Sequence, residues 1–240
     1  MLFRSGPNGV WRVTRGADEA KDQSYVVHML DQAQMSRTLF PVGHLTKEEV
    51  RERARRLGLR TADKPDSQDV CFISTTGGRE TFLGHRIPFH RATVVDTSGE
   101  QVGEVDAVEL VTIGQRRGIG LYRTEAKRFV VDVDTEARKV IVGTEADLQR
   151  DSLALYSMVW AGGVPAAGRY RVQCSAHGTS LPCSVALVDG DKVQVTLDAP
   201  HRRIAPGQSA VLFDETDSYV VAGGLVSAAS AWPVKVGAIA

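Results

Sequence analysis

The chain has 240 residues, enough for one large or two smaller domains with buried cores. Its 29 lysines plus arginines balance 29 aspartates plus glutamates, which excludes an overall basic field for nucleic acid and leaves only local basic faces. Hydrophobic runs are short and interrupted by charge, MLFRSGPNGVWRV lacks the apolar block of a signal peptide, and Cys71, Cys174 and Cys183 form no CxxC; a cytoplasmic chain with reduced thiols and no membrane span is expected.

From the N-terminus, the first periodic segment opens at Asp22. Tyr25, Val26, Met29, Leu30 and Ala33 recur at helical spacing and Phe40-Pro41 closes the stretch, which predicts an amphipathic helix. Asp22 then serves as an N-cap, a role that needs no ligand. Lys21 and Gln23 beside it also put a cation and an amide at a helix start, an arrangement suited to phosphate. Both readings stay open from the residues alone. In TKEEVRERARRLG, Thr46 and Glu49 predict a capping box, Glu48 and Glu49 suit the positive helix end, Arg55 and Arg56 the negative one, and Gly58 stops the helix. Val50, Ala54 and Leu57 form its expected buried stripe.

KPDSQDVCF, residues 64–72, sets Cys71 after a polar loop and before an apolar pair. A free cysteine in such a place is either a packed core thiol or, with Lys64 nearby to favour thiolate, a nucleophile; Asp66 and Asp69 oppose the second unless they pair with the lysine. From about Val70 the texture changes to short β-type runs, among them VCFIS, ATVVD, RFVVDVD, KVIVG, LALYSMVW, RYRVQCSA, CSVALVD, KVQVTLD and SAVLFD, with GRETFLGH as a short helix. Thr97-Ser98-Gly99 and Asp189-Gly190-Asp191 predict hairpin turns. Antiparallel strands in compact barrels are expected, with AGGVPAAG (161–168) joining two barrels.

TIGQRRGIG, residues 112–120, is neither a dinucleotide fingerprint nor a P-loop; Arg116 and Arg117 sit either on a flexible loop that tracks phosphates or on an exposed turn. Ala205-Pro206-Gly207-Gln208 reads as a Pro-Gly turn that leaves Gln208 exposed. Six histidines show neither HExxH nor zinc-like spacing to the cysteines, so no metal is expected. The opening helices have apolar faces but few strands of their own to cover, as in a layered α/β domain whose sheet lies elsewhere.

In this order, KDQSY, FPVGHLTKEEVRERA, DSQDVCFI, TIGQRRGIG and APGQSAVLF resemble the tRNA-specific 2-thiouridylases of the MnmA type over nearly the whole chain. The resemblance implies an α+β fold: a helical remnant of an α/β nucleotide-binding (PP-loop) domain over 1–88, then two small antiparallel β-barrel domains over 89–148 and 149–240. It implies an enzyme that uses ATP to adenylate C2–O of a wobble uridine and replaces that oxygen with sulfur supplied by a relay donor protein. Cys71 is implied to be the persulfide carrier, with a second cysteine releasing the sulfur by forming a disulfide. Lys21, Asp22, Gln23 and Gln208 are implied to touch tRNA. Ser175-Ala176 stands where the family carries a further contacting pair that usually begins with arginine; Arg169, Arg171 and His177 lie nearby in sequence.

The SGGxDS loop, the GHY element and the other catalytic cysteine of the family do not occur in the sequence; SGPNG at Ser5 is not that loop, and Cys174 and Cys183 fall in predicted strands. The expectation is a truncated or split thiouridylase, a sulfur-carrying, tRNA-gripping back part that does not complete thiolation alone; in the split case a nucleotide-binding domain acting in trans is its partner. A non-catalytic RNA-binding barrel module is the competing expectation, and an unrelated translation-type barrel the third.

Overall fold

Alternating Val, Leu and Thr beyond residue 91 become ten of the twelve strands in the computed structural model, which describes residues 2–5, 9–66, 78–122, 127–189 and 191–229. The expected strand VCFIS, and with it Cys71, lies outside the described residues. Two compact units emerge. One holds the described parts of Met1–Lys64, Asp151–Pro200 and Ile204–Ala240; the other holds those of Pro65–Arg150 and His201–Arg203. No helix among the described residues is long and apolar enough to cross a membrane.

In the first unit six strands close into an antiparallel barrel: β7 (Gln149–Trp160), β8 (Gly168–Gln173), β9 (Leu181–Asp189), β10 (Lys192–Arg202), β11 (Ser209–Phe213) and β12 (Val220–Val226), in the order β10-β7-β12-β11-β8-β9. AGGVPAAG therefore joins β7 to β8 inside one barrel rather than linking two barrels. The reason is the strand before it, whose twelve residues already belong to this barrel. Leu155, Val172, Cys183, Val185, Val193, Val195, Ala210 and Leu212 fill its core.

β11 shows how the N-terminal segment is used. Strand residues alternate faces. Ala210 and Leu212 point into the barrel, whereas Val211 and Phe213 join Val13, Met35, Ala161 and Val220 in a second cluster, with Trp11, Tyr25, Val27 and Leu30 against it. The unbroken apolar run AVLF thus marks a strand covered on both sides. The hairpin of β1 (Leu2–Ser5) and β2 (Trp11–Thr14) continues into this cover through a bridge from Thr14 to Tyr219.

The helix expected from Asp22 does not form as one piece. A three-residue 3-10 turn, Glu19–Lys21, ends at Asp22; a run of turns follows, and only α1 (Gln32–Met35), boxed by Asp31 and Gln34, is helical. The barrel overrides local periodicity here: the Tyr25 hydroxyl donates to Ser209 O at 2.9 Å, and Tyr25, Val27 and Leu30 turn inward, leaving Val26 and Met29 53 % and 62 % exposed. His28 packs against Gly223, where an added Cβ would lie 2.0 Å from its Cδ2.

α2 (Lys47–Arg56) forms as its caps dictate, with Thr46 and Glu49 exchanging hydrogen bonds. Gly58, at φ +66°, ends it: Gly58 N–H donates to Arg55 O and Leu59 N–H to Ala54 O, the paired bonds of a Schellman stop. Its expected buried stripe is not buried among the described residues: Val50 and Ala54 are half-covered and Leu57 is 75 % exposed.

The second unit has α3 (Arg79–Gly84) and a sheet of β3 (Ala92–Asp96), β4 (Gln101–Val105), β5 (Phe129–Asp134) and β6 (Lys139–Gly143), in the order β4-β3-β6-β5. The hairpins β3–β4 and β5–β6 are antiparallel, but they join through a parallel β3–β6 pair, a departure from the purely antiparallel expectation. The parallel pair arises because the first strand of one hairpin meets the last of the other. Residues 112–122 run along both outer strands. Gly114 N–H donates to Val130 O (2.7 Å) and Val130 N–H to Gln115 O on β5; Glu104 N–H donates to Gly120 O and Tyr122 N–H to Val102 O on β4. Ile119 and Leu121 drop into the core with Val94, Val108, Val130 and Val140. Gly120 is required by this close approach, since a Cβ there would meet Glu104 O at 1.6 Å.

Candidate functional site

Where β2 ends, the Arg15 N–H donates to Ser218 O at 3.0 Å, which fixes the residue beside the turn leading into β12. Its guanidinium lies 3.6 Å above the Phe213 ring centroid. Nη1 donates to Asp22 Oδ2 (3.1 Å), Ser24 Oγ (3.1 Å) and Gln173 Oε1 (2.8 Å), and Nη2 to Asp217 Oδ1 (2.7 Å). Ser180 Oγ donates to the other oxygen of Asp217 at 2.7 Å and accepts from Arg171 Nε at 3.0 Å. Gln173 Nε2 donates to the carbonyls of Ser175 (2.8 Å) and Ala176 (3.5 Å). Three stretches distant in sequence, 15–24, 173–180 and 214–218, are thus held around one cleft of about 790 Å³.

Asp22 and Ala176 both line this cleft, so the two sequence-predicted groups, Lys21-Asp22-Gln23 and Ser175-Ala176, come together. They are presented differently. The Asp22 side chain is 6 % exposed; burial alone would raise its pKa, but donors from Ser24, Gly16 and Arg15 and the Arg15 charge hold it below the ordinary carboxylate value. Lys21 and Gln23, on either side, are exposed. Asp22 is not the helix N-cap its sequence context predicts: its Oδ1 accepts from the Gly16 and Ser24 N–H groups and its Oδ2 pairs with Arg15.

Formal charge on the cleft lining comes from Arg15 and Arg171 against Glu19, Asp22 and Asp217, or −1 with His177 neutral. The cleft is no trap for phosphate by itself. Its side chains of Thr179, His177, Thr216 and Ser218 suit hydrogen bonding to a polar edge, with the Lys21 cation close by in the chain.

Other candidates lie elsewhere. Gln208 ends a turn in which Gly207 takes φ +82°; its Oε1 accepts from Ala205 N–H at 3.2 Å, and it is exposed at the start of β11, at the opposite end of that strand from Phe213. Arg116 and Arg117 are exposed on a loop that is braced rather than loose, with Gln115 bridging Thr112 N–H and Arg117 O. Burial pushes the Cys174 and Cys183 thiols up to about 12, so neither is a nucleophile at neutral pH. Arg169 is committed to Asp198. Sequence does not single out Arg15, Gln173, Ser180 or Asp217: Gln173 falls on the Arg169–Arg171 side of β8, opposite Tyr170 and Val172, so the strand pattern puts a polar residue there and its burial arises only in the assembled fold.

Three family models match in chain order: a tRNA methyl transferase HUP domain over residues 4–75, a tRNA methyl transferase PRC-barrel domain over 80–144 and an aminomethyltransferase beta-barrel domain over 150–226. Among similar proteins, the tRNA-specific 2-thiouridylase MnmA of Symbiobacterium thermophilum is 39 % identical over 226 residues, covering 92 % of this chain and 57 % of the relative. Its namesake in Mycobacterium ulcerans is 40 % identical over 227 residues (92 % and 62 %), and that of Nocardioides sp. 41 % over 231 (93 % and 62 %). The chain therefore spans about six-tenths of the length of these curated relatives. Matched almost throughout by three models in one order, and at about 40 % identity by these relatives, the chain belongs to the family of MnmA-type tRNA-specific 2-thiouridylases.

Proposed function

We propose that this chain is the tRNA-gripping and sulfur-carrying portion of a tRNA 2-thiouridylase. The observation that carries the reading is the cleft around Arg15, whose walls bring Asp22, flanked in the chain by Lys21 and Gln23, together with Ala176, which follows Ser175, from distant parts of the sequence. In this reading Lys21 meets a phosphate, Gln23 and the polar cleft lining meet base or sugar edges, and Gln208, Arg116 and Arg117 add contacts elsewhere. Cys71 carries the persulfide received from a relay donor protein. Its outer sulfur replaces the C2 oxygen of an activated uridine, and a second cysteine, supplied outside these residues, takes up the Cys71 sulfur as a disulfide.

Activation of the uridine needs ATP. Among the described residues the helix opened by a positive-φ glycine is α3, after Gly78; it is six residues long and has no side-chain cap, so these residues do not build a phosphate cradle. Adenylation is therefore assigned to a nucleotide-binding portion acting with this chain.

The test is binding of an unmodified tRNA transcript to the full chain and to a Lys21→Ala/Gln23→Ala variant. The reading expects a preference for tRNA over an unrelated hairpin RNA and weaker binding by the variant; equal affinity for both RNAs would sink it. Persulfide labelling separates a sulfur carrier from a non-catalytic binding module: label that disappears in Cys71→Ser supports the carrier, and label independent of Cys71 removes it.

A further inference from the structure

We propose that Arg15 is the positioning residue of the cleft, setting Lys21 and Gln23 against the Ser175–Ala176 turn without touching RNA itself. The proposal rests on the reading of the cleft as the tRNA-facing surface. Arg15 is poorly placed to grip a ligand: its side chain is 24 % exposed, one guanidinium face is covered by Phe213, and both terminal nitrogens are already engaged. Its partners are better placed to transmit its position. Asp22, which it pairs, is the inward-facing residue between exposed Lys21 and Gln23. Gln173 receives Arg15 on its amide oxygen and uses its amide nitrogen to hold the Ser175 and Ala176 carbonyls, so Arg15 also fixes which way that amide is turned.

One guanidinium thus lies between two carboxylates, Asp22 on one wall and Asp217 on another. Without it the carboxylates face each other uncompensated and the walls part. Lysine keeps the charge but not the planar fork, so it serves one carboxylate at a time.

A double-mutant cycle on the full chain with the unmodified tRNA transcript tests this. Arg15→Lys is expected to weaken binding about tenfold, and the loss is expected to shrink below about twofold when Lys21→Ala/Gln23→Ala is already present, because coupled residues do not add. Asp217→Asn, which loosens the far end of the same guanidinium, is expected to give the same non-additive loss and guards against misfolding of the arginine variant; thermal unfolding of each variant verifies the fold. Equal losses in both backgrounds, or unchanged affinity in Arg15→Lys and Asp217→Asn while Lys21→Ala/Gln23→Ala binds weakly, would overturn the positioning role alone. Undiminished binding by Lys21→Ala/Gln23→Ala would overturn it together with the tRNA reading of the cleft.

Discussion

Asp22 illustrates how a polar motif divides its labour. Its carboxylate is enclosed and paired, whereas its neighbours on both sides are exposed. Removing it with Asp22→Ala leaves Arg15 with Asp217 alone as its carboxylate partner and takes the acceptor from the Gly16 and Ser24 N–H groups, and is expected to cost about 2 kcal/mol in denaturant unfolding, the scale for leaving part-buried donors unpaired. The pH dependence follows from the lowered pKa. A carboxyl held below its unfolded value contributes stability above that unfolded value, about 3.9, and loses it as pH falls through the folded one. The gap between wild type and Asp22→Ala is therefore expected to hold steady from neutral pH to about 5 and to narrow below about 4, which acid titration of the unfolding midpoint measures. Sequence could nominate Lys21, Asp22 and Gln23 together but not rank them, because the group that turns Asp22 inward also answers to Asp217, 202 residues further along.

At the level of elements, what was legible in sequence was what is local in space. α2 needs only Thr46, Glu49 and Gly58 to begin and end, and those residues lie within its own flanks. Thr46→Ala and Gly58→Ala are each expected to cost about 1 kcal/mol, the first through a lost cap and the second through strain at φ +66° with no steric clash, read as faster amide exchange across Lys47–Arg56. The stretch from Asp22 to Leu30 departs from its helical periodicity because its conformation is dictated by β11, 184 residues away at the Tyr25–Ser209 bond. Gly223 records the same long-range fit. Gly223→Ala is expected to lower stability by about 2 kcal/mol through overpacking against His28, and His28→Ala in that background to recover part of the loss in thermal unfolding. The parallel β3–β6 pair was equally out of reach, since hairpin turns announce only the antiparallel partners they join.

Across the whole molecule, zero net charge means that any RNA affinity must come from placed cations. Replacing Arg116 and Arg117 together by alanine is expected to flatten the log–log salt dependence of tRNA binding by about 1.5 units, with unchanged unfolding, since both side chains are exposed. The order of motifs along the chain carried the family signal; the cleft did not show in sequence, because Arg15, Gln173 and Asp217 become neighbours only once β2, β8 and the turn before β12 have assembled. The loop that holds the two arginines also hydrogen-bonds along β4 and β5, the outermost strands of their sheet. An open sheet ordinarily offers such margins as templates on which a second chain can polymerise. Here both margins of the four-stranded sheet take hydrogen bonds from within the chain, so the same eleven-residue stretch that displays the two arginines also covers the edges on which a second chain would pair.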